Sequence, residues 1–183
     1  MKKKWKYFLI GVPNCGKSTL GRLTADIMKL PFYDTDKMAV NKVPIESASD
    51  IFRSVFNQQF LSAQRDALIK LAKLHGEVLI ATGAEISLMP ECANRMRKTG
   101  TIIHIKRKPE IILENMRNSG SRKIVLREES KGTEIDMQEM AVKLYMKEYS
   151  QYEAIADLSM DNNGSENEGV QTLMALIKQC RKK

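Results

Sequence analysis

The sequence has little of what marks several classes of protein. Three cysteines in 183 residues (Cys15, Cys92 and Cys180) are odd in number and far apart, which argues against a disulfide framework or a Cys-x-x-Cys zinc site. Aromatic residues make up 6% of the chain, and no basic surface interleaved with aromatics is visible for stacking nucleic-acid bases. No apolar run reaches the roughly 20 residues that span a bilayer. We therefore expect no specific nucleic-acid partner and no membrane partner.

Positive charge is concentrated near the two ends of the chain. Of the formal net charge of +8, seven charges lie on Lys2, Lys3, Lys4, Lys6, Arg181, Lys182 and Lys183. The body between them is close to neutral, so we interpret the basic ends as features that aid solubility. The apolar stretch Tyr7–Ile10 is far too short for the h-region of a signal peptide, which predicts a cytoplasmic protein.

Short apolar runs alternate with longer amphipathic segments. The length and a hydrophobic content of 43% suffice for one domain, residues 1–183, with a full core. The pattern predicts strands at Tyr7–Ile10, Phe32–Asp34, Val78–Ala81, Thr101–Ile105 and Ala156–Met160. It predicts helices at Lys17–Lys29, Gln58–Leu74, Pro109–Arg117, Ile135–Tyr149 and Glu166–Gln179, and one opening at Pro90. Such alternation indicates a parallel sheet covered by helices on both faces, with a mobile loop at Asn118–Thr133.

The first predicted strand runs into Gly11-Val12-Pro13-Asn14-Cys15-Gly16-Lys17-Ser18. The spacing Gly-x-x-x-x-Gly-Lys-Ser is that of a phosphate-binding loop, in which glycines turn backbone N–H groups toward phosphate oxygens. The lysine reaches the β- and γ-phosphates and the serine hydroxyl ligates magnesium. A coincidental glycine-rich turn is the alternative, but a strand before and an amphipathic helix after favour the loop. The predicted nucleotide-binding residues are Gly11, Asn14, Cys15, Gly16, Lys17, Ser18 and Thr19.

Cys15 has two interpretations. A neighbouring cation and a helix N-terminus both lower the pKa of a thiol, which would make Cys15 reactive. The alternative is a small residue that the loop tolerates. Under the first hypothesis, thiol alkylation blocks nucleotide binding and ATP protects against it.

Two carboxylates follow the second predicted strand, in Asp34-Thr35-Asp36. Ligand sites of open parallel sheets gather at the carboxyl ends of the strands. One carboxylate there would lie near magnesium, and the other would accept a hydrogen bond from an attacking hydroxyl. The alternative is a solvated turn, since aspartate favours turns in any case.

Four segments together resemble the shikimate kinase family. They are Phe8-Leu9-Ile10-Gly11, Ser18-Thr19-Leu20-Gly21-Arg22-Leu23, Leu30-Pro31-Phe32-Tyr33-Asp34-Thr35-Asp36 and Ile80-Ala81-Thr82-Gly83. The resemblance extends through Arg122 to Tyr152 and Ala156-Asp157. It implies a three-layer α/β/α P-loop kinase fold with a five-stranded parallel sheet, and a lid segment over approximately 118–133. It also implies transfer of the γ-phosphate of Mg-ATP to a hydroxyl of shikimate.

The resemblance assigns roles to individual residues. Lys17 and Ser18 serve phosphate and magnesium, and Asp34 supports magnesium. Asp36 orients or deprotonates the acceptor hydroxyl, and Arg122 closes on the transferring phosphate. This division fits the chemistry, because phosphoryl transfer depends mainly on positioning and on neutralising charge on the phosphate oxygens.

The sequence departs from the family on the acceptor side. Leu61 stands where the resemblance expects a carboxylate-binding arginine, Glu148 where it expects another arginine, and Lys123 where it expects a proline. The glycine triplet is reduced to Gly83-Ala84-Glu85. Two cations are thus lost and two carboxylates gained, which disfavours a buried acidic acceptor that lacks an arginine partner.

Arg65 offers a replacement for the missing carboxylate ligand, because it follows Leu61 by four residues on one helix face. Its alternative is a solvated helix arginine. Together with Asp36 and Gly83, Arg65 completes the predicted acceptor residues.

Three functions stay open on this basis. The leading one is a monomeric, ATP- and Mg²⁺-dependent kinase acting on shikimate. The second is a related kinase for a less acidic polyol or sugar acid as its small-molecule hydroxyl acceptor. The third is a nucleotide-binding protein that has lost transfer activity. His104, inside an apolar strand, is predicted to be a core or edge residue and not a ligand.

Overall fold

Five short strands form one parallel sheet at the centre of the structure. The computed structural model describes residues 6–41, 58–118, 125–127 and 134–182. The sheet strands are β1 (Lys6–Ile10), β2 (Phe32–Asp34), β3 (Val78–Ala81), β4 (Gly100–Lys106) and β7 (Leu158–Asp161), arranged in the order β2-β3-β1-β4-β7. The side chains of β3 and of β1 from Tyr7 onward are buried, as expected of central strands covered on both faces. The predicted parallel sheet is confirmed.

Nine helices within the described residues surround the sheet. They are α1 (Lys17–Met28), α2 (Thr35–Val40), α3 (Gln58–Leu71), α4 (Ala84–Leu88), α5 (Pro90–Thr99), α6 (Pro109–Asn118), α7 (Met137–Lys147), α8 (Tyr149–Ile155) and α9 (Glu166–Lys182). Helix α1 packs against α9, and α3 packs against α2, α4 and α5. Apolar faces of these helices and both faces of the sheet share one core cluster. The result is the predicted three-layer arrangement.

Several predicted boundaries agree with the structure and others do not. The bounds of β2 and β3 are as predicted, and Pro90 occupies the first turn of α5. Helix α3 ends at Leu71 and not at Leu74. The N–H groups of Lys73 and Leu74 bond to carbonyl oxygens three residues earlier, which is a turn and not an α-helix, and Gly76 then adopts a φ of 86°. Across the described ranges, no helix is both long enough and apolar enough to span a bilayer.

Two strands lie where the sequence predicted other structure. Strands β5 (Val125–Arg127) and β6 (Glu134–Asp136) pair antiparallel, so the predicted loop Asn118–Thr133 contains a strand. The predicted helix Ile135–Tyr149 is also wrong in its limits: a strand occupies its start, and the helical part divides into α7 and α8. Three-residue strands show too little alternation to be recognised in a polar segment. Arg122 and Lys123, in the predicted lid, lie outside the described residues.

The sheet order places a crevice at one end of the sheet. From β1 the chain continues toward β2, whereas from β3 it continues toward β4 on the other side of β1. Connections that diverge in this way leave an opening outside the carboxyl ends of the two strands. The glycine loop follows β1 and Gly83 follows β3, so both border this opening.

Candidate active site

The glycine loop after β1 wraps around the start of α1. Three of its residues adopt positive φ angles: Gly11 at 139°, Asn14 at 60° and Gly16 at 103°. A Cβ atom on Gly11 would lie 2.6 Å from the carbonyl oxygen of Ile105, and one on Gly16 would collide with Nδ2 of Asn162. Both positions therefore require glycine for space as well as for conformation.

Lys17 lies at the first position of α1 with its side chain folded back over the loop. Its Nζ donates hydrogen bonds to the carbonyl oxygens of Gly11 and Val12, each at 2.9 Å. The first N–H groups of α1 have no intrahelical acceptor, and the helix dipole adds partial positive charge at the same place. Backbone and side chain thus combine in an anion-binding end of the helix.

A cleft of about 540 Å³ opens above this loop. Of the predicted nucleotide-binding residues, Asn14, Gly16, Lys17, Ser18 and Thr19 line it, and Asp36 lines it from the other side. Gly11 and Cys15 are buried beneath the loop and take no part in the lining. The cleft is also lined by residues that the sequence prediction missed, namely Arg107, Asn115, Asn162, Gly164 and Glu166.

Two of the missed residues lie just past the ends of strands. Arg107 follows β4, its backbone N–H donates to the Tyr149 hydroxyl at 3.1 Å, and its buried Nε finds no acceptor within the described ranges. Asn162 follows β7, and its Nδ2 donates to the carbonyl oxygen of Cys15 at 2.9 Å. The signal that could have found both residues is the one that points to Asp34 and Asp36, namely a position just past the carboxyl end of a predicted strand.

Asp34 and Asp36 perform different tasks in the structure. Asp34 is buried and caps α2, because its Oδ1 accepts hydrogen bonds from the backbone N–H groups of Asp36 at 3.0 Å and Lys37 at 3.3 Å. Asp36, in the first turn of α2, presents its carboxylate to the cleft. The segment is therefore neither a simple turn nor a pair of equivalent carboxylates.

The carboxylate of Asp36 has an unusual environment. Although the side chain is accessible from the cleft, the surrounding protein raises the pKa of its carboxyl by desolvation, and the charge of Lys17 opposes this effect. The neighbouring charge of Asp34 raises the pKa further, and a hydrogen bond from Gln64 lowers it. A carboxylate with a raised pKa is a stronger base toward a hydroxyl proton.

The residues predicted to hold magnesium provide oxygen ligands only. Ser18 lines the cleft at the start of α1, and Asp34 has a second carboxylate oxygen beside the one that caps α2. In the part of the chain that is described, no group of three or more His, Cys, Asp or Glu side chains forms a metal site. Magnesium prefers hard oxygens and needs few from the protein, since waters and substrate phosphates complete its coordination. These residues therefore fit Mg²⁺.

Gly83 lies against Asp36 on the acceptor side. Its backbone N–H donates to the Thr35 hydroxyl at 2.8 Å, and a Cβ atom here would lie 2.7 Å from Oδ1 of Asp36. Gln64, on α3, donates from Nε2 to the same Asp36 oxygen at 2.5 Å. The sequence prediction included Gly83 and Asp36 in the acceptor region but missed Gln64.

Leu61 and Arg65 lie on α3 beside Gln64. Leu61 is partly buried and packs against the hydrophobic core. Arg65 is exposed, with 44% of its side-chain surface accessible, and its Nη2 lies 3.6 Å from the carboxylate of Asp66. The structure does not bring Arg65 into the cleft lining. Its role toward an acceptor stays a prediction.

Glu85, one of the two carboxylates that depart from the family pattern, lies within reach of the charge of the other, Glu148. Burial raises the pKa of Glu85, and the charge of Glu148 raises it further. The pKa of Tyr145 is also raised, by burial first and then by Glu85 and Glu148. Negative charge is therefore concentrated where α4 meets the start of α8.

Cys15 faces away from the cleft. Its side chain is fully buried, and its Sγ lies 3.8 Å from Nζ of Lys17. A reagent in the cleft has no direct path to this thiol. The geometry therefore favours the interpretation of Cys15 as a small residue that the loop accommodates.

His104 lies within β4 behind the loop. It is fully buried and contacts the rings of Tyr149 and Tyr152, with centroids 5.0 Å and 5.5 Å away. Neither ring nitrogen has a hydrogen-bond partner among the residues that the structure describes. Burial lowers the pKa of His104 to about 4, so the ring is neutral at physiological pH. It is a core histidine, as the sequence predicts.

The family model and the sequence relatives identify one family. The family model described as shikimate kinase matches residues 13–178. A shikimate kinase of Thermoanaerobacter pseudethanolicus is 33% identical over 153 residues, which cover 84% of this chain and 84% of the relative.

Solved structures give the same result for the fold. A shikimate kinase from Acinetobacter baumannii, determined in complex with shikimate, superposes with a TM-score of 0.77 at 19% identity, covering 97% of this chain and 95% of that one. A shikimate kinase from Aquifex aeolicus superposes with a TM-score of 0.70 at 25% identity, covering 97% and 98%.

Proposed function

The chain belongs to the shikimate kinase family, and on that premise we propose that it transfers the γ-phosphoryl group of ATP to a hydroxyl of shikimate, giving shikimate 3-phosphate. It is an ATP-dependent kinase. One observation carries the proposal: Lys17 at the anion-binding end of α1 and the carboxylate of Asp36 line the same cleft. A phosphate held at the first and a hydroxyl held at the second would lie side by side.

The donor side begins at the glycine loop. The N–H groups at the start of α1 bind the β- and γ-phosphates, and Lys17 exchanges its bonds to the Gly11 and Val12 carbonyls for phosphate oxygens. Arg107 and Asn162 line the cleft beyond the loop, where the nucleoside would extend. When bound, Mg²⁺ neutralises phosphate charge, and Ser18 and Asp34 would hold it.

Asp36 acts on the acceptor. Its carboxylate accepts the proton of the attacking hydroxyl as the bond from oxygen to the γ-phosphorus forms and the bond to the bridging oxygen of ADP breaks. The pKa of Asp36, raised by desolvation, suits a base that must take up this proton. Arg122, which lies outside the described residues, is proposed to close on the transferring phosphate.

A second acceptor class is favoured by specific residues. Leu61 packs against the core and offers no charge to a carboxylate. Glu148 lies close enough to Glu85 for its charge to raise the pKa of Glu85. A neutral polyol or a less acidic sugar acid would avoid the repulsion that an acidic acceptor meets here.

A coupled assay of ADP release separates these proposals. Shikimate is compared with a panel of polyols and sugar acids at saturating Mg-ATP. Turnover stimulated by shikimate above the ATP-only background supports the first acceptor, and stimulation only by another compound supports the second. Tight ATP binding without stimulation by any acceptor contradicts both.

The variant Lys17→Ala is the matched inactive control for this assay. Charged hydrogen bonds to the phosphates are lost, so we expect ATP affinity to fall about 10- to 100-fold. Lys178→Ala, on the exposed face of α9, removes the same charge away from the cleft and should leave affinity unchanged.

A further inference from the structure

Arg107 brings a positive charge into the cleft that no described neighbour neutralises. Its side chain is partly buried and lines the cleft, and its Nε is buried without a hydrogen-bond acceptor. The guanidinium forms no ion pair with any residue that the structure describes. Arginine removed from water is usually paired, because burying an unpaired charge is costly. An unpaired guanidinium in a cleft is therefore suited to an anionic ligand.

The two residues that flank Arg107 are held by the segment that follows β7. The carbonyl oxygen of Lys106 accepts a hydrogen bond from the backbone N–H of Asn162 at 2.7 Å. The backbone N–H of Lys108 donates to Oδ1 of Asn163 at 2.8 Å. The ends of β4 and β7 are thus joined on both sides of Arg107, and its side chain extends from a fixed position.

The guanidinium of Arg107 lies beside the N-terminal end of α1. Its Nη1 lies 3.5 Å from the position that a Cβ atom on Gly16 would occupy. Lys17 and Arg107 are the two cations in the described lining of the cleft. Lys17 reaches the β- and γ-phosphates of a nucleotide bound at such a loop, whereas the α-phosphate receives only backbone N–H groups from the loop itself. A second cation at this place would complete the charge on the phosphate chain.

The order of the strands gives the phosphate chain a direction. Asp36 follows β2 and Arg107 follows β4, and these strands lie on opposite sides of β1. The γ-phosphate has to face the acceptor hydroxyl at Asp36, because the phosphoryl group is transferred there. The chain then runs across the glycine loop toward β4, and the α-phosphate is the one that comes to lie beside Arg107.

We propose that Arg107 binds the α-phosphate of ATP through its guanidinium. This role rests on the proposed function, which sets the direction of the nucleotide. The planar fork of a guanidinium matches two oxygens of one phosphate. No bond to the α-phosphorus forms or breaks during the transfer, so the contact is the same before, during and after it. Such a contact strengthens binding of ATP and ADP and leaves kcat unchanged.

Two variants separate the charge of Arg107 from its packing. Arg107→Met keeps an extended side chain and removes the charge, whereas Arg107→Lys keeps the charge and loses the planar fork. Arg95→Met makes the same chemical change on the exposed face of α5 and is the control. Thermal melting of each variant establishes that it is folded, and Arg107→Lys decides the question if Arg107→Met does not fold.

The measurement is equilibrium binding of ATP, ADP, AMP and adenosine in the absence of an acceptor. Each titration is followed in ¹H–¹⁵N spectra of the protein, which report weak as well as tight binding. We expect Arg107→Met to weaken ATP, ADP and AMP by a common factor of about 10 or more, because all three lose the same charged contact. Adenosine has no phosphate and should bind equally to both proteins. Arg107→Lys should lose less, and Arg95→Met should match the parent protein.

Three other results would overturn the inference. A loss confined to ATP and ADP would assign Arg107 to a later phosphate, and an equal loss for adenosine would assign it to the nucleoside. Unchanged binding of all four ligands to Arg107→Met would exclude a nucleotide contact. The proposed function fails separately, if the parent protein binds ATP but phosphorylates no acceptor, because these titrations involve no turnover.

Discussion

Asp36 carries a charge that the folded protein disfavours. Desolvation raises the pKa of its carboxyl in the folded state, so the ionised form lowers the free energy of unfolding at pH values above that pKa. The cost disappears at low pH, where the carboxyl is protonated in the folded and unfolded states alike. A proposed catalytic group is therefore also a source of instability, as is common in active sites.

We predict that Asp36→Asn removes acceptor-dependent turnover by a factor of about 10² or more and raises the melting temperature at pH 7. The gain in stability should vanish near pH 3, below the ordinary pKa of aspartate. Thermal unfolding followed by circular dichroism at both pH values checks this. Asp26→Asn, on the exposed face of α1, is the control. Equal or lower stability of Asp36→Asn at pH 7 would contradict the argument.

His104 lowers the free energy of unfolding as the pH falls, whereas the ionisation of Asp36 lowers it as the pH rises. Because its pKa is lowered to about 4 in the folded state, the unfolded chain binds its proton first as the pH falls. We predict that the free energy of unfolding decreases between about pH 6.5 and pH 4, by roughly 3 kcal/mol in total from this residue. Urea denaturation across that range measures the decrease.

His75 provides a matched control, since it is exposed and is the other of the two histidines in the chain. His104→Gln should flatten the pH dependence, whereas His75→Gln should leave it in place. If both variants keep the slope of the parent protein, carboxyl groups are its cause and not His104.

The residues of the site differ in how far the sequence could predict them. The loop residues Asn14 to Thr19 follow from local spacing, because a run of consecutive residues fixes its own geometry. Gln64 could not be predicted in this way, since its contact with Asp36 depends on how α3 packs against α2. A contact between two polar side chains that are 28 residues apart leaves no periodic signal in the sequence.

At the scale of single elements, the short helix α2 depends on its cap. Asp34 supplies the oxygen that accepts from the N–H groups of Asp36 and Lys37, and it is also proposed to support magnesium. We predict that Asp34→Ala lowers the free energy of unfolding by about 1 kcal/mol through loss of the cap. Asp34→Ser should keep most of that stability, because its hydroxyl can still accept the capping bond.

The same pair of variants tests the proposed metal role separately. Asp34→Ser retains the cap but removes the charge, so we expect a higher Mg²⁺ concentration for half-maximal rate at nearly parental stability. Urea denaturation and a magnesium titration of turnover provide the two measurements. Parental stability of Asp34→Ala would exclude a capping contribution, and an unchanged magnesium requirement in Asp34→Ser would exclude the metal role.

Elements were predicted well where packing and propensity agree. The strand β3 is a continuous apolar run, and burial on both faces of the sheet is what such a run favours. The hairpin of β5 and β6 was missed, because each strand has three residues and the pairing between them is not visible in local composition. Helix α2 was missed since its cap, Asp34, was interpreted through its charge alone.

At the scale of the whole molecule, a polar cluster joins the start of the sheet to the last described helix. Glu77, just before β3, accepts from the Tyr7 hydroxyl at 2.7 Å and from Nε and Nη2 of Arg181 at 2.6 and 2.8 Å. Tyr7 belongs to β1 and Arg181 to α9. This cluster lies at the amino end of the strands, and the cleft lies at their carboxyl end.

We predict that Glu77→Ala lowers the free energy of unfolding by about 2 kcal/mol, because two donors lose a charged acceptor. The kcat and both KM values should stay at parental levels, since the cleft is at the opposite end of the sheet. Urea denaturation and steady-state kinetics measure the two effects, with Glu110→Ala on the exposed face of α6 as control. A loss of activity without a loss of stability would contradict this separation.

The architecture as a whole was predictable because it depends on the alternation of apolar strands and amphipathic helices, which the sequence displays directly. The identity of the acceptor was not, since it depends on which side chains from separate helices meet. Leu61, Glu85 and Glu148 come from three such places, and the packing that brings them together is not visible in the local sequence.

The glycine loop and α1 are one continuous stretch of chain, whereas the wall around Asp36 is assembled from α2, α3 and α4. We therefore expect substitutions in that wall to leave the backbone that holds the nucleotide in place. A lineage that begins from such a chain can therefore replace the metabolite that it phosphorylates one residue at a time, while every intermediate form still binds ATP.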